Sequence, residues 1–163
     1  MYTLGIITSS DKGYAGERED KSGATIREIA EANGFKVERY VVVPDEKEML
    51  KKEFTYMSDE LGVNLVLSTG GTGFAPRDIT PEATKEIIDR EAPGIAEAIR
   101  MYSLSITKRA MLSRAVSGIR KKTLIVNLPG SPKACKEALD FVLEDLKHGI
   151  DILNEVAKEC ARK

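Results

Sequence analysis

Val63-Asn64-Leu65-Val66-Leu67 runs straight into Ser68-Thr69-Gly70-Gly71-Thr72-Gly73. The first five residues are short and apolar, which predicts a buried strand. The glycines after it predict a sharp turn, because a residue without Cβ lets the backbone approach an anion closely. Thr80-Pro81-Glu82 then predicts a helix start, with Thr80 as N-cap and proline just inside, where its missing N–H is harmless. Strand, glycine turn and helix in this order are the repeating unit of a parallel α/β sheet.

Reading outward from that unit extends the pattern. Leu4 to Thr8 is a first strand that ends in Ser9-Ser10-Asp11, and Ser22 is placed to cap a helix stopped by Asn33-Gly34. Val37 to Val43 predicts a second strand, apolar enough at its end to be covered on both faces. From Pro44-Asp45 a helix follows, with Leu50, Phe54, Met57 and Leu61 on one stripe. Downstream of Pro93, Ile95, Ile99, Tyr102 and Ile106 share a helical face. Ala115 to Ile119 and Thr123 to Leu128 flank Arg120-Lys121-Lys122, which predicts a hairpin with one antiparallel strand. Ser131-Pro132 opens a last helix along Val142, Leu146, Ile150, Leu153 and Ala157, with Gly149 as a place for a bend. The order β-α-β-α-β-α-α-β-β-α predicts a three-layer α/β/α sandwich with a mostly parallel sheet. One domain, residues 1–163, is expected.

Composition narrows the chemistry. Lys and Arg number 25 against 26 Asp and Glu, which gives no reason to expect nucleic acid or an anionic membrane as partner. No apolar run approaches the ~20 residues that span a bilayer, and residues 1–5 lack the character of a signal peptide, so the expected location is cytoplasmic. His148 is the single histidine, which removes multi-histidine metal sites and leaves a surface or structural role as its reading. Cys135 and Cys160 show neither CxxC nor zinc spacing and are expected to be inert. Carboxylates, hydroxyls, backbone amides, Lys and Arg remain, a set suited to phosphoryl or nucleotidyl transfer.

Parallel sheets bind ligands beyond the carboxyl ends of their strands. Ser9-Ser10-Asp11, Pro44-Asp45, Thr69 to Asp78 and Pro129 to Lys133 all leave predicted strands at that edge. The glycine turn is neither a P-loop, since GxxxxGK[ST] is absent, nor GxGxxG, since Ala75 and Pro76 stand where a third glycine would be. Asp45 and Asp78 are the acids of interest, because two carboxylates beside phosphates suit Mg2+. The bland alternative for Asp45 is an N-cap with Glu48 completing a capping box; for Asp78 it is a place just ahead of a helix cap. In Asn127-Leu128-Pro129-Gly130-Ser131-Pro132-Lys133, Ser131 caps a helix whose free N–H groups, with Lys133, suit a phosphate.

Ser68 to Gly73 through Arg77-Asp78-Ile79-Thr80-Pro81-Glu82-Ala83 resembles the signature of the MogA/MoaB molybdopterin-binding family. So do Val43-Pro44-Asp45-Glu46, Leu112-Ser113-Arg114, Asn127 to Lys133, and Ser10-Asp11 followed by Asp20-Lys21-Ser22-Gly23. The segments are in family order and cover nearly the whole chain. The resemblance implies the molybdopterin-binding fold, assembly as a homotrimer or a hexamer of trimers, and Mg-ATP-dependent adenylylation of molybdopterin by Asp45 and Asp78. It implies ligand binding by Gly70, Gly71, Thr72 and Gly73, by Pro129, Gly130, Ser131 and Pro132, and by Ser113 with Arg114. Ser10, Asp11, Thr69, Arg77 and Lys133 complete the expected site. The product is expected to pass to a metal-insertion protein, for molybdate or tungstate. A molybdopterin carrier without turnover, and a related nucleotide pyrophosphatase, are the alternatives.

Overall fold

The computed structural model of the protein describes residues 1–156, so Ala157 and Cys160 lie outside the described residues. Among the described residues six strands form one sheet in the order β2-β1-β3-β6-β5-β4: β1 (Tyr2–Ser9), β2 (Phe35–Val43), β3 (Leu65–Thr69), β4 (Arg90–Glu91), β5 (Ser117–Arg120) and β6 (Thr123–Leu128). β1, β2, β3 and β6 pair in parallel, and β5 runs against β6. β4 is antiparallel to β5, so β5 is the single reversed strand.

Alternation along the central strands sorts the core into two layers. After α1, a single turn at Asp11–Tyr14, the longer helices close the core. Leu4, Ile6, Leu65, Leu67, Leu124, Val126 and Leu128 face one cluster, closed by Ile26 and Ala30 of α2 (Lys21–Ala32), Ile99 of α5 (Pro93–Leu104), and Cys135 to Ile150 along α6 (Pro132–Leu153). Ile7, Val66 and Ile125 face the other, closed by Leu50 and Phe54 of α3 (Lys47–Thr55), and by Ala83 and Ile87 of α4 (Thr80–Ile87). At Gly5 the sheet is bare, and a Cβ there would stand 2.4 Å from Met57 Sδ. The missing side chain is what lets Met57 pack flat on β1.

Several local expectations change. β2 is an edge strand in which only Phe35 and Val43 are fully buried, because β1 flanks it on one side only; Val37, Tyr40 and Val41 in its middle are partly buried against the two core layers. The helical stripe of α3 breaks at a π-turn, Tyr56–Glu60, closed by Leu61 N–H on Tyr56 O at 3.0 Å. The extra residue in that turn rotates the chain beyond it; Met57 goes inward and Leu61 is left exposed. Asp20, not Ser22, caps α2 by accepting from Gly23 N–H. Ser131 caps α6 as the spacing predicts, accepting from Ala134 N–H, and α6 continues unbroken through Gly149. The β5–β6 connection is the two-residue turn Lys121-Lys122, with Lys121 at φ 51°.

β1 lies between β2 and β3. The chain therefore winds outward to one side after β1 and crosses to the other side after β2. A crevice opens where those windings part, at the carboxyl ends of β1 and β3.

Candidate functional site

A cleft of about 650 Å³ occupies that crevice. Ser9 and Ser10 from the end of β1, Asp45 from the end of β2, Thr69 to Gly71 from the end of β3, and Gly130 ahead of α6 all line it. Asp78 completes the wall from the loop before α4.

Asp45 is held by the first strand rather than by its own helix. Its carboxylate accepts the Ser9 hydroxyl at 2.6 Å and the Asp11 N–H at 3.1 Å. In return its own N–H donates to Asp11 Oδ1 at 3.0 Å. The capping reading is therefore wrong: α3 begins after Glu46 with no side-chain cap at all. Arg77 closes a fork on Asp11, at 2.6 and 3.0 Å. That guanidinium, with the Asp45 N–H, holds the Asp11 carboxyl below the usual carboxylate range. Arg77 is thus committed to Asp11 and does not line the cleft.

Asp78 organises the glycine turn. Its Oδ2 accepts from the N–H groups of Gly73 and Ala75, both at 3.1 Å, while Oδ1 has no protein partner among the described residues. Thr80 is not the N-cap of α4; that place falls to Ile79. Instead Thr80 grips the turn, its hydroxyl on Gly70 O at 2.9 Å and its N–H on Gly71 O at 3.1 Å. Gly70 and Gly71 have φ of 88° and 70°, a region that penalises any Cβ. A Cβ on Gly70 would also stand 2.4 Å from Ser9 O. With their carbonyls held by Thr80, their N–H groups find no protein acceptor among the described residues, which suits an anion.

The Pro129–Gly130 turn is pinned in the same way. Thr69 Oγ1 donates to Pro129 O at 2.6 Å and Ser22 Oγ to Gly130 O at 2.6 Å. Cys135 Sγ lies 3.0 Å from Pro129 O, and burial pushes its thiol up to about 11, as an inert cysteine requires. On the far side of this turn a second cavity of about 310 Å³ is lined by Thr72, Gly73, Ser113, Pro129 and Gly130.

The structure therefore brings Ser10, Asp45, Thr69, Gly70, Gly71, Asp78, Gly130 and Pro132 to one cleft. Arg114 stands back and ties the site together, with Nε on Gly73 O at 2.7 Å, Nη2 on Asp78 O at 2.9 Å, and Nη1 on Glu82. Ser131 is occupied as a cap, and Lys133 is 86% exposed, 3.9 Å from Glu137. Neither lines the cleft, so Lys133 does not stand where a phosphate-holding lysine is expected. Thr8, Arg18, Glu19, Asp20, Lys21 and Ser22 do line it, although the sequence pattern does not single them out as site residues. Asp20 joins Thr8 at 2.7 Å, and it also accepts from Tyr40; burial and that carboxylate raise the Tyr40 phenol. The signal is present in Asp20-Lys21-Ser22-Gly23, downstream of the first strand's loop, but nothing local shows that it folds over the same edge. His148 is exposed on α6, well along from the cleft. No helix among the described residues is long and apolar enough to cross a membrane.

Residues 5–148 match the family model described as "Probable molybdopterin binding domain". A molybdopterin adenylyltransferase of Helicobacter pylori is 41% identical over 153 residues, covering 92% of this chain and 86% of that protein. The crystal structure of the molybdopterin biosynthesis enzyme MoaB from Thermus thermophilus superposes with a TM-score of 0.90 at 49% identity, covering 95% of this chain and 98% of that one. The tungsten cofactor synthesizing protein MoaB from Pyrococcus furiosus superposes with a TM-score of 0.85 at 34% identity, over 94% and 97% of the two chains. With the fold, the glycine turn and this likeness over nearly the full length in agreement, the chain belongs to the MogA/MoaB family of molybdopterin-binding proteins.

Proposed function

We propose that the protein is a molybdopterin adenylyltransferase of molybdenum cofactor biosynthesis, working in the cytoplasm as a single domain with Mg-ATP. The observation that carries this reading is the meeting in one cleft of Asp45, Asp78 and the Gly70 and Gly71 N–H groups, which have no acceptor among the described residues. Two ligands have room there. The nucleotide phosphates lie along the glycine turn, and the pterin lies across Gly130, which both cavities share, toward Ser113 and Pro129.

The donor set fits Mg2+. It consists of hard oxygens, and Oδ1 of Asp78 is free of protein partners among the described residues. No group of three or more His, Cys, Asp or Glu side chains that could hold a metal occurs among those residues. Asp45 and Asp78 would therefore hold an ion that completes its shell with phosphate oxygens and water, as Mg2+ prefers. When bound, such an ion neutralises charge on the reacting phosphates.

The protein's own part is positioning. The Gly70 and Gly71 amides orient the α-phosphate, and Thr80 keeps those amides aimed by holding the carbonyls behind them. An oxygen of the pterin's terminal phosphate forms a bond to the α-phosphorus. The bond from that phosphorus to the bridging oxygen breaks, and pyrophosphate leaves with the electron pair. Adenylyl-molybdopterin then passes to a metal-insertion step for molybdate or tungstate.

Assembly as a trimer, or a hexamer of trimers, has support on the surface. Phe141 stacks on Tyr102 at 4.4 Å, and Met101, Leu104, Ile106, Met111 and Leu112 are also exposed, an apolar area of the kind that copies cover. Mass spectrometry of the wild-type protein with molybdopterin and Mg-ATP tests the activity. A pterin–AMP product with stoichiometric pyrophosphate is expected, and tight pterin binding without that product would leave a carrier instead.

A further inference from the structure

The cleft has cations of its own, and they differ from those the sequence pattern offers. Arg77 is locked in its fork on Asp11, and Lys133 stands outside. Arg18 and Lys21 both line the cleft, and neither side chain has a hydrogen bond or ion pair among the described residues. They enter from the connection between Tyr14 and α2 and from the first residue of α2, beside the stretches of β1 and β2 whose Thr8 and Tyr40 hold Asp20. On the same wall, Asp20 is already committed to the Gly23 N–H and the Thr8 and Tyr40 hydroxyls. Glu19 is the remaining acid there, its carboxylate exposed and without a partner among the described residues.

Two unpaired cations in a phosphate-sized cleft that already holds Asp45 and Asp78 call for an anion that the two aspartates do not themselves attract. We propose that Arg18 and Lys21 form the subsite for the polyphosphate tail of the nucleotide and receive pyrophosphate as it leaves. The assignment rests on the adenylylation reading. As the bond from the α-phosphorus to the bridging oxygen breaks, that oxygen keeps the electron pair and charge grows on the departing pyrophosphate. Cations at that end stabilise the charge as it develops, more than they stabilise bound ATP. Glu19 opposes the same charge and sets a limit on how tightly the product is held.

The test is calorimetric binding of magnesium tripolyphosphate, and of AMP, to the full chain. Arg18→Gln with Lys21→Gln should weaken tripolyphosphate binding by at least about tenfold, as loss of charge-assisted contacts does, and leave AMP binding unchanged. Both side chains are exposed, so circular dichroism should match wild type. Glu19→Gln should tighten tripolyphosphate binding. Arg27→Gln, a charge removed from the same helix but bonded to Glu31, should have no effect. In turnover, the double variant should lower kcat as well as raise KM for ATP, and leave KM for the pterin alone. Equal tripolyphosphate affinity in wild type and double variant would overturn the assignment, and so would no binding by wild type. Binding that the double variant loses, in a wild type that makes no pterin–AMP, would keep the subsite and sink the adenylylation reading instead.

Discussion

Asp78 and Asp45 differ in how many of their oxygens the fold already uses, so the same substitution should have different consequences at the two positions. At Asp78, a single oxygen takes both the Gly73 and Ala75 N–H groups. Asparagine can offer its carbonyl oxygen to both, and its amide nitrogen falls where the carboxylate had no protein partner. Only charge assistance is lost, about 1 kcal/mol. At Asp45 each oxygen has its own donor, the Ser9 hydroxyl and the Asp11 N–H. An amide must turn its NH2 toward one of them, which forces the Ser9 hydroxyl to reverse or leaves the Asp11 N–H unpaired. Either outcome costs about 1–2 kcal/mol beyond the same loss of charge assistance, about 2–3 kcal/mol in all. For a chain of this length that is a fall in Tm of roughly 4–12 °C, against about 2–4 °C for Asp78→Asn. Both variants should lose pyrophosphate release by about 10²-fold or more, because each removes a carboxylate charge from the reacting centre. Thermal melts by circular dichroism, beside a pyrophosphate-release assay, read the two effects separately. Equal melting temperatures for the two variants would refute the hydrogen-bond argument. Wild-type turnover in either would remove that aspartate from the chemistry.

Two further outcomes rest on the same geometry. Gly70→Ala places a Cβ at φ 88° and 2.4 Å from Ser9 O, which should destabilise by about 2–4 kcal/mol and lower Tm by roughly 4–16 °C; Gly130→Ala, whose Cβ would meet only Gly70 Cα at 3.7 Å, should melt like wild type. The Asp11 carboxyl is held low by Arg77, so the stability it contributes is present above the unfolded-state value and fades as pH falls through the lower folded one. Carbon-detected NMR should show the Asp11 titration moving up toward the ordinary carboxylate range in Arg77→Gln, and an unmoved titration would mean that the fork does not exist in solution.

Much of the frame is legible in the residues because it depends on neighbours in the chain. The apolar runs Leu4 to Thr8, Leu65 to Leu67 and Thr123 to Leu128 form central strands, since period-two burial on two faces admits few other readings. Ser131 caps α6 because that bond spans three residues. The glycine turn after β3 is legible for the same reason: only glycine readily tolerates the successive positive φ values of Gly70 and Gly71. Contacts that span long stretches of chain are decided by the tertiary structure alone. Arg77 meets Asp11 across 66 residues, and Ser22 reaches Gly130 across 108. Neither pairing leaves a periodic trace, so local spacing offers Arg77 to a phosphate and Ser22 to a helix cap. Asp45 resembles a cap because Glu48 lies three residues on, yet β1 offers it a hydroxyl and an N–H that local spacing cannot reveal. Arg18 and Lys21 join the cleft because α2 packs on α6 with its first turn beside Gly130. Local propensity determined which segments are strands, turns and helices; the order in which the strands pair determined which side chains share a solvent-filled crevice and which neutralise one another outside it.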